Sequence, residues 1–478
     1  MNLINMLQTI DFTTLYPEMF LGVIAFVMLL MGLRYKNPRI YSSISFISLL
    51  IAIILLLIFD SSTSSIFSGV LQINDFGLFF AIIMLISSIY MVLPSTREVH
   101  EKPELFYATL LFVNISMIIA AFSLNLIVIF IAFEGVSIGT YVLTAYGKSR
   151  RNLEAATKYF FTGTIATSFI LFGSAFYYIS AGTFSMQNVV SLQSHSVLIA
   201  MTFLFVGYGF KLALVPMHQW AVDTYDGSAN SLSAFLSTGT KVLAFLIIMR
   251  IFLVGFSLDH TDIFYLFVII SIITMTYGNI AALSETNLKR IFAYSSVAQA
   301  GYLILVLAVV SNNYSTSSVD LAILAGMFYA LVYIFMKGGA FFSVGLVKKE
   351  NAKIDDLSGL AWKSPVIAVS IIVLLISLAG VPPTAGFFAK YYLFLSLISG
   401  QLWWLAVIAI VNSAVSVFYY LRLIVIMFRR NSENEFDLSP SVYYPVVIAA
   451  ILMFALVALI YEFPTIQTYV SGLIGVGI

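Results

Sequence analysis

Apolar stretches long enough to cross a lipid bilayer recur along the whole chain, and short polar segments separate them. A spanning helix needs roughly 20 mostly apolar residues, because the hydrocarbon core of a bilayer is about 30 Å thick. The pattern predicts an all-α polytopic membrane protein with about 14 transmembrane helices. The predicted spans are 15–33, 40–59, 73–93, 103–122, 124–145, 156–181, 195–217, 229–256, 262–284, 289–311, 319–347, 365–398, 403–428 and 441–462.

Two of the predicted spans contain prolines that interrupt a helix. The twelfth span, 365–398, is longer than one crossing and carries Gly-Val-Pro-Pro-Thr-Ala-Gly at 380–386, and the seventh has Pro216 near its end. Proline lacks the backbone N–H and clashes with the preceding turn. Irregular backbone at membrane depth is tolerated only inside the protein or beside a water-filled cavity. We therefore predict that helices 7 and 12 are broken.

Composition narrows the classes of protein further. Hydrophobic residues make up 61% of the chain and charged residues only 9%, which leaves little surface for a soluble domain. The chain has 0 cysteines, so it cannot form disulfides, thiolate metal sites or iron–sulfur clusters of its own. The four histidines, at 100, 195, 218 and 260, are too scattered to predict a haem or metal cage. Neither a metal nor nucleic acid is an expected ligand.

The lysines and arginines outside the spans predict the topology. If the loop after the first span is called inside, these basic residues all fall inside, from Arg34 to Arg430. The charges at the opposite side are acidic, namely Asp60, Asp75, Asp259, Asp262 and Asp320. Basic loops remain on the cytoplasmic side of membrane proteins. The pattern predicts an even number of spans with both termini outside.

A few charged residues fall within the predicted spans. They are the six basic residues not assigned to the inside, Lys211, Lys241, Arg250, Lys337, Lys390 and Arg422, and Glu134, the one acidic residue deep in a span. A charge at the bilayer centre costs several kcal/mol, so an intramembrane ionisable residue is a functional candidate by default. The alternative is a structural ion pair or a side chain that snorkels to the interface. We expect snorkelling of Arg250 and Arg422, which lie near helix ends.

The number and order of the predicted spans suggest an internal symmetry. Spans 4–8 and 9–13 form two units of five spans each. Because five is odd, the second unit starts on the opposite side of the membrane and is inverted relative to the first, which is a transporter architecture. The fourth span of each unit has proline near a lysine, Pro216 with Lys211 and Pro382 with Lys390. We predict a three-helix N-terminal segment (1–102), a translocating core (103–428, with repeats 103–256 and 262–428) and a C-terminal helix (429–478).

Buried lysines suit proton transfer. Burial disfavours the charged form of lysine, and a nearby carboxylate favours it, so Glu134 and Lys211 are predicted to act as a switch pair. Lys241 and Lys390 would continue the relay across the membrane midplane, with Lys337 and His218 as further candidates. The polar residues predicted to hold water along this path are Ser237, Thr238, Thr240, Ser295, Ser296 and Gln299.

Several motifs resemble one family. Residues 214–227, Leu-Val-Pro-Met-His-Gln-Trp-Ala-Val-Asp-Thr-Tyr-Asp-Gly, resemble the V-P-F-H-x-W-x-P-D-x-Y-x-G hallmark of the antiporter-like membrane subunits of respiratory complex I, or NADH-quinone oxidoreductase. Residues 233–241 resemble the T-A-F-L-S-x-G-P-K run of the subunit N group, which includes mitochondrial subunit 2. Further matches lie at 133–134, 154–160, 288–296 and 380–387, so the resemblance covers essentially the whole chain. Departures are Val222, where the family usually has proline, and Ala229-Asn230, where many relatives have proline.

The resemblance implies roles for particular residues. Glu134 matches the family's helix-5 glutamate, and Lys211, Lys241 and Lys390 match the lysines of helices 7, 8 and 12. Subunit M usually has glutamate at the last of these positions, so Lys390 favours subunit N. Subunit L carries a long lateral C-terminal helix, for which this chain ends too soon after its fourteenth span.

The resemblance also implies a function. Such a subunit moves protons in the membrane arm of a complex I-like oxidoreductase and binds no redox cofactor itself. Its expected partners are other membrane-arm subunits, the lipid bilayer and, through neighbouring subunits, a quinone. The expected location is the cell membrane, with the mitochondrial inner membrane as the alternative. A subunit of a multisubunit Na⁺/H⁺ antiporter, a membrane-bound hydrogenase subunit and a scaffold without transport remain alternatives, and the donor is NADH, a deazaflavin or ferredoxin.

Overall fold

The computed structural model describes residues 15–58, 65–66, 69–187, 195–256, 261–430 and 434–462. The α-helices are α1 Tyr16–Met31, α2 Pro38–Ile58, α3 Asp75–Ser95, α4 Pro103–Phe122, α5 Leu126–Ala145, α6 Arg150–Ala181, α7 His195–Leu212, α8 Gln219–Gly227, α9 Asn230–Ser237, α10 Gly239–Arg250, α11 Thr261–Ser284, α12 Leu288–Asn312, α13 Thr316–Val344, α14 Leu360–Lys363, α15 Pro365–Ala379, α16 Ala385–Ser399, α17 Trp403–Met427 and α18 Pro440–Ala455. A π-helix at Ile251–Gly255 extends α10, and 3-10 helices occupy Ile354–Leu357 and Leu456–Glu462.

The described helices account for the predicted number of crossings. Twelve helical segments are long and apolar enough to span a membrane, and α1, α15 and α16 are shorter apolar helices. With α1 as one span and α15 and α16 as the halves of another, the predicted fourteen spans are present. One small departure from all-α structure precedes α3, where the strands β1 Ser65–Ile66 and β2 Leu71–Gln72 pair antiparallel.

Both predicted helix breaks are present. In the seventh span, α7 ends at Leu212, the following Ala213 has a φ of 62°, and the chain resumes as α8. In the twelfth span, Gly380 with a φ of 83° ends α15, and α16 starts at Ala385. Glycine favours this left-handed conformation because it has no Cβ. The seventh span continues to Gly227, beyond the predicted end at 217, because a second half-helix follows Pro216.

A third break was not predicted from the sequence. The eighth span divides at Thr238, with φ −116° and ψ −80°, into α9 and α10. The Oγ1 of Thr238 bonds to the carbonyl of Ala234 at 2.7 Å and to Ser87 Oγ on α3 at 2.9 Å. Threonine hydroxyls that bond to their own helix compete with the backbone ladder. This break has no proline to reveal it.

The helices are ordered in two comparable sets. In the first, α4 packs on α5, α5 on α6 and α6 on α7; in the second, α11 packs on α12, α12 on α13 and α13 on α15 and α16. Close approach of α11 and α12 depends on Gly278 and Gly301, where an added Cβ would lie within 2.5 Å and 2.6 Å of the facing helix. The segment 230–255 and α12 are almost wholly enclosed, so the centre of the bundle lies there.

Candidate functional site

Lys211 lies in the last turn of α7, immediately before the break, and is fully buried. Its Nζ donates to three hydroxyl groups: Thr140 Oγ1 at 3.3 Å, Ser137 Oγ at 3.4 Å and the phenol of Tyr159. It also lies 4.8 Å from the ring centroid of Tyr159 and 5.7 Å from that of Phe133. An ammonium group has three N–H donors, so each donor has a neutral acceptor here, and the aromatic faces add cation–π attraction.

Glu134 lies on α5 and is half-buried. Its Oε1 accepts a hydrogen bond from Thr167 Oγ1 on α6 at 2.7 Å. Among the described residues, no ion pair within 4.0 Å joins this carboxylate to Lys211. Instead Lys211 contacts Ser137 and Thr140, which follow Glu134 on the same helix by one and two turns. Glu134 thus lies on the helix that Lys211 contacts, and among the described residues no hydrogen bond or ion pair joins the two members of the predicted switch pair.

Lys241 lies on α10, just after the break in the eighth span, and is 1% exposed. Its Nζ donates to the backbone carbonyl of Ser296 on α12 at 2.8 Å. The side chain of Ser296 bonds at 2.6 Å to the phenol of Tyr333 on α13. Lys241 is thus connected through Ser296 to the polar side chains of α12 and α13.

Lys337 lies on α13 and is fully buried. Its Nζ donates to Ser295 Oγ at 2.7 Å, and the same hydroxyl bonds to the phenol of Tyr420 on α17. Because Lys241 contacts Ser296, the two lysines reach consecutive residues of α12. They therefore form one cluster around the start of this buried helix.

Lys390 lies on α16 beyond the break in the twelfth span and is 3% exposed. Its Nζ donates to the carbonyls of Leu378 at 3.0 Å and Ala379 at 3.1 Å, and to Ser413 Oγ at 2.9 Å. It also lies 4.8 Å from the ring centroid of Tyr302. Leu378 and Ala379 end α15, where carbonyls lack helical partners and the helix dipole favours a cation.

Gln299 connects the Lys390 site to the Lys337 cluster. It follows Ser295 by one turn on α12, and its Nε2 donates at 3.2 Å to the carbonyl of Leu378, which Lys390 also contacts. Its Oε1 accepts a hydrogen bond from the phenol of Tyr329. The α12 residues 295, 296 and 299 thus link three lysines contributed by three other helices.

His218 precedes α8 and is 4% exposed. Its ring lies edge-on to Tyr277, with centroids 4.5 Å apart, and its Nδ1 has no hydrogen-bond partner among the described residues. It contacts none of the lysines of the candidate relay through a hydrogen bond within the described chain. The structure therefore places His218 at the edge of the candidate site.

The polar residues predicted to hold water divide into two groups. Ser295, Ser296 and Gln299 contact the lysines or their partners, as described above. Ser237 and Thr240 instead bond to the carbonyls of Ala234 and Leu236 in their own span, at 2.9 Å and 2.7 Å. Sequence reasoning missed the tyrosines at 159, 302, 329, 333 and 420, which contact the lysines directly or bond to the α12 side chains beside them. Only Tyr159 stood in a quoted motif.

The two arginines differ from each other. Arg422 donates to the carbonyls of Leu283 and Glu285 at the end of α11, at 3.4 Å and 3.3 Å, and is half-exposed, as expected for a snorkelling side chain. The snorkelling prediction for Arg250 was wrong, because Arg250 is 0% exposed. Its guanidinium bonds to Asn74 Oδ1 at 3.0 Å and to the carbonyl of Ser123 at 3.3 Å, and so joins the ends of three helices.

Charged residues surround α8 at the basic side of the chain. Asp226 pairs with Arg151 on α6 at 2.6 Å, and Asp223 pairs with Lys158 at 3.1 Å and with Arg290 on α12 at 3.6 Å. These contacts fix the second half of the broken seventh span between two helices. A cavity of about 330 Å³ opens beside it and is lined by residues that include Glu98, Asp226 and Lys289. Within the described chain, no cluster of three or more histidine or acidic side chains is arranged to hold a metal ion.

Comparisons with known proteins identify the family. The family described as "NADH:quinone oxidoreductase/Mrp antiporter, TM" matches residues 123–416. F(420)H(2) dehydrogenase subunit N of Methanosarcina mazei is 36% identical over 470 residues, covering 92% of this chain and 93% of the relative. NADH-quinone oxidoreductase subunit N of Trichlorobacter lovleyi is 36% identical over 453 residues, covering 91% of each.

A solved structure agrees with these relatives. A chain of respiratory complex I from Thermus thermophilus with bound aureothin superposes with a TM-score of 0.81 at 29% identity, covering 93% of this chain and 97% of that one. The matched family region contains all the lysines of the candidate site. The chain therefore belongs to the transmembrane family of NADH:quinone oxidoreductase and Mrp antiporter subunits.

Proposed function

We propose that this chain is a proton-translocating subunit in the membrane arm of a complex I-like oxidoreductase, located in the cell membrane as a multi-pass protein. The observation that carries the proposal is the series of buried lysines, 211, 241, 337 and 390, each bonded to polar groups of a neighbouring helix. The names of the relatives support it, because both are subunits N of dehydrogenase or quinone oxidoreductase complexes.

The partners of these lysines suit a proton relay. Lys211 bonds to hydroxyls, Lys241 to a carbonyl, and Lys390 to two carbonyls and a hydroxyl. None of these acceptors is charged, so no adjacent carboxylate holds the lysine permanently in its charged form. Glu134 then acts on Lys211 at a distance, through its own protonation state. Fixed ammonium groups repel sodium ions, which supports protons as the transported species.

The remaining parts of the complex supply the redox chemistry. In this proposal electrons pass through other subunits, a neighbouring subunit binds the quinone, and this chain contains no redox cofactor. Residues 103–428 form the translocating core, residues 1–102 form an N-terminal three-helix segment, and residues 429–478 add the last helix. His218 bonds to none of these lysines within the described chain and is a secondary candidate, whereas Lys337 shares the α12 cluster with Lys241.

A subunit of a sodium/proton antiporter is the second candidate, because the matched family includes Mrp antiporter subunits. The 36% identity to two subunits N favours the oxidoreductase. Purifying the complex through an affinity tag on this chain and identifying its co-subunits separates the two. Reconstituted vesicles should then acidify when NADH, a reduced deazaflavin or ferredoxin is supplied with a quinone. Co-purification with antiporter subunits alone, and no donor oxidation, would contradict the proposal.

A further inference from the structure

We propose that Tyr159, Trp220 and Tyr225, here called the aromatic bridge, are positioning residues for Lys211 and join the break in the seventh span to the break in the eighth. The inference rests on the proposed proton relay and deepens it. It concerns residues that hold the relay lysines in place and are not themselves ionised in the relay. The three rings belong to α6 and α8, between the helices that carry Lys211 and Lys241.

The first contact of the aromatic bridge fixes the hydroxyl beside Lys211. The ring of Tyr159 stacks on the indole of Trp220, with centroids 4.5 Å apart and planes 8° from parallel. Tyr159 is fully buried, so its ring cannot tilt away without displacing the indole. The phenol is thereby kept at Lys211 Nζ, and it also bonds to Thr140 Oγ1 at 3.2 Å.

A hydroxyl is suited to a lysine that changes its protonation state. The phenol accepts a hydrogen bond from the charged ammonium, and it donates one to the neutral amine after the proton has left. Neither form of the lysine is then left without a partner, and no heavy atom needs to move. A carbonyl at this place could accept from either form of the lysine but could not donate to the lone pair of the neutral amine. Holding the Tyr159 ring in position therefore keeps both states accessible.

The second contact anchors the aromatic bridge to the break in the seventh span. The Nε1–H of Trp220 donates to the carbonyl of Phe210 at 2.7 Å. Phe210 directly precedes Lys211, and its carbonyl also accepts a hydrogen bond from the N–H of Ala213 at 2.9 Å. Carbonyls in the last turn of a helix lack their regular partners, and side-chain donors satisfy them. Trp220 thus holds the backbone next to Lys211 as well as the ring beside its side chain.

The third contact extends the aromatic bridge to the eighth span. The ring of Tyr225 packs edge-on against Trp220, with centroids 5.9 Å apart and planes at 81°. The phenol of Tyr225 donates to the carbonyl of Leu236 at 3.1 Å, directly before the break at Thr238. Lys241 lies on the helix that begins after this break. A shift of α8 would therefore move both helix breaks together.

Conservative substitutions separate the contacts of the aromatic bridge. Tyr159→Phe keeps the stacked ring and removes the hydroxyl, whereas Trp220→Phe keeps a ring and removes the indole donor. The matched controls are Tyr107→Phe, which removes a buried hydroxyl that bonds to Ser95, and Trp403→Phe, which changes an exposed side chain on α17. Each variant is purified as the intact complex and reconstituted in vesicles. Proton uptake per electron and its pH profile are then measured.

We expect Tyr159→Phe to lower pumping at least about tenfold and to displace its pH profile, because the neutral amine loses its hydrogen-bond donor. Trp220→Phe should displace the profile in the same direction by a smaller amount, and both controls should stay within about twofold of the wild type. Wild-type pumping and pH profile in Tyr159→Phe would overturn the inference. Loss of assembly in both Tyr159→Phe and Trp220→Phe, with normal controls, would also overturn it, since the role would then be structural. A wild-type complex that does not pump would overturn the proposed function instead.

Discussion

Replacing Lys211 by alanine tests the relay most directly. The alanine variant should lose proton pumping, because no group at this position can then take up and release a proton. General acid–base groups contribute on the order of 100-fold or more to a reaction, so we expect pumping to fall at least about tenfold. Two of the three hydroxyls that Lys211 leaves behind keep partners, since Thr140 Oγ1 still bonds to the carbonyl of Ser137 at 2.9 Å and to the phenol of Tyr159.

The same substitution should leave the complex assembled. Truncating a buried side chain of this length to alanine costs about 2–5 kcal/mol through lost packing and the cavity that remains. Removing a charge from the bilayer interior stabilises the inserted protein by roughly 3 kcal/mol on insertion scales. The two effects have opposite signs and similar sizes, so the net change in stability is small. Pumping and assembly are therefore expected to respond differently to the loss of Lys211.

Lys211→Arg distinguishes a relay from a structural cation. Arginine remains charged at any working pH and cannot cycle, so the relay predicts that this variant is also impaired. A structural cation held by hydroxyls and rings predicts the reverse, with arginine restoring function and alanine lowering stability first. The arginine variant therefore tests whether residue 211 must exchange a proton or need only remain charged.

The assay measures donor oxidation and vesicle acidification, both normalised to assembled complex on native gels. Arg422→Lys is a suitable control, because the hydrogen bonds that this half-exposed cation makes within the described chain go to two carbonyls at the end of α11. Full pumping in Lys211→Ala would refute the role of Lys211. Recovery of pumping in Lys211→Arg would refute proton exchange and leave a structural role.

Three further predictions concern the basic side of the chain and its topology. Glu98→Ala should lower the thermal stability of the complex by about 1–2 kcal/mol, because the Glu98 carboxylate accepts the N–H of Ser231 at 3.0 Å at the start of α9. Burial alone would raise the pKa of Asp356, but hydrogen bonds from Lys349 and from the N–H of Lys353 hold this pKa below its usual range. The ionised Asp356 carboxylate therefore stabilises the protein above the ordinary aspartate pKa, and this stabilisation is lost as the pH falls through the lowered pKa. Asp356→Asn should abolish this acid dependence in melting curves. Cysteines placed at 61 and 349 should react on opposite sides of sealed vesicles, and equal labelling by an impermeant reagent would contradict the topology.

Hydropathy and proline chemistry predicted most of the fold. Spans that cross a bilayer must satisfy their backbone internally, so a run of apolar residues leaves few alternatives to a helix. The breaks near Pro216 and Pro382 follow from the missing N–H of proline, and both are present. The break at Thr238 depends on a hydroxyl contact with Ser87, about 150 residues away in sequence, which local patterning does not reveal.

The surroundings of the lysines were harder to predict than the lysines themselves. A charge inside a span is visible in one sequence because it is costly. A tyrosine in an apolar helix is ordinary, so nothing local marks Tyr333 or Tyr420 as a neighbour of Ser296 or Ser295. Arg250 shows the same limit, because its position near a helix end predicted snorkelling. Its acceptors, Asn74 and Ser123, come from other helices and keep it inside.

The α12 cluster gives the relay a property that a single lysine lacks. Lys241 and Lys337 bond to the consecutive residues Ser296 and Ser295 of α12. Two positive charges in a low-dielectric interior oppose each other, and these contacts include no carboxylate to offset them. Within the proposed relay, a charge on one lysine therefore disfavours a charge on the other. In the proposed relay, a proton that arrives at one lysine favours release from the other, and for this reason we propose that Lys337 lies on the path between Lys241 and Lys390.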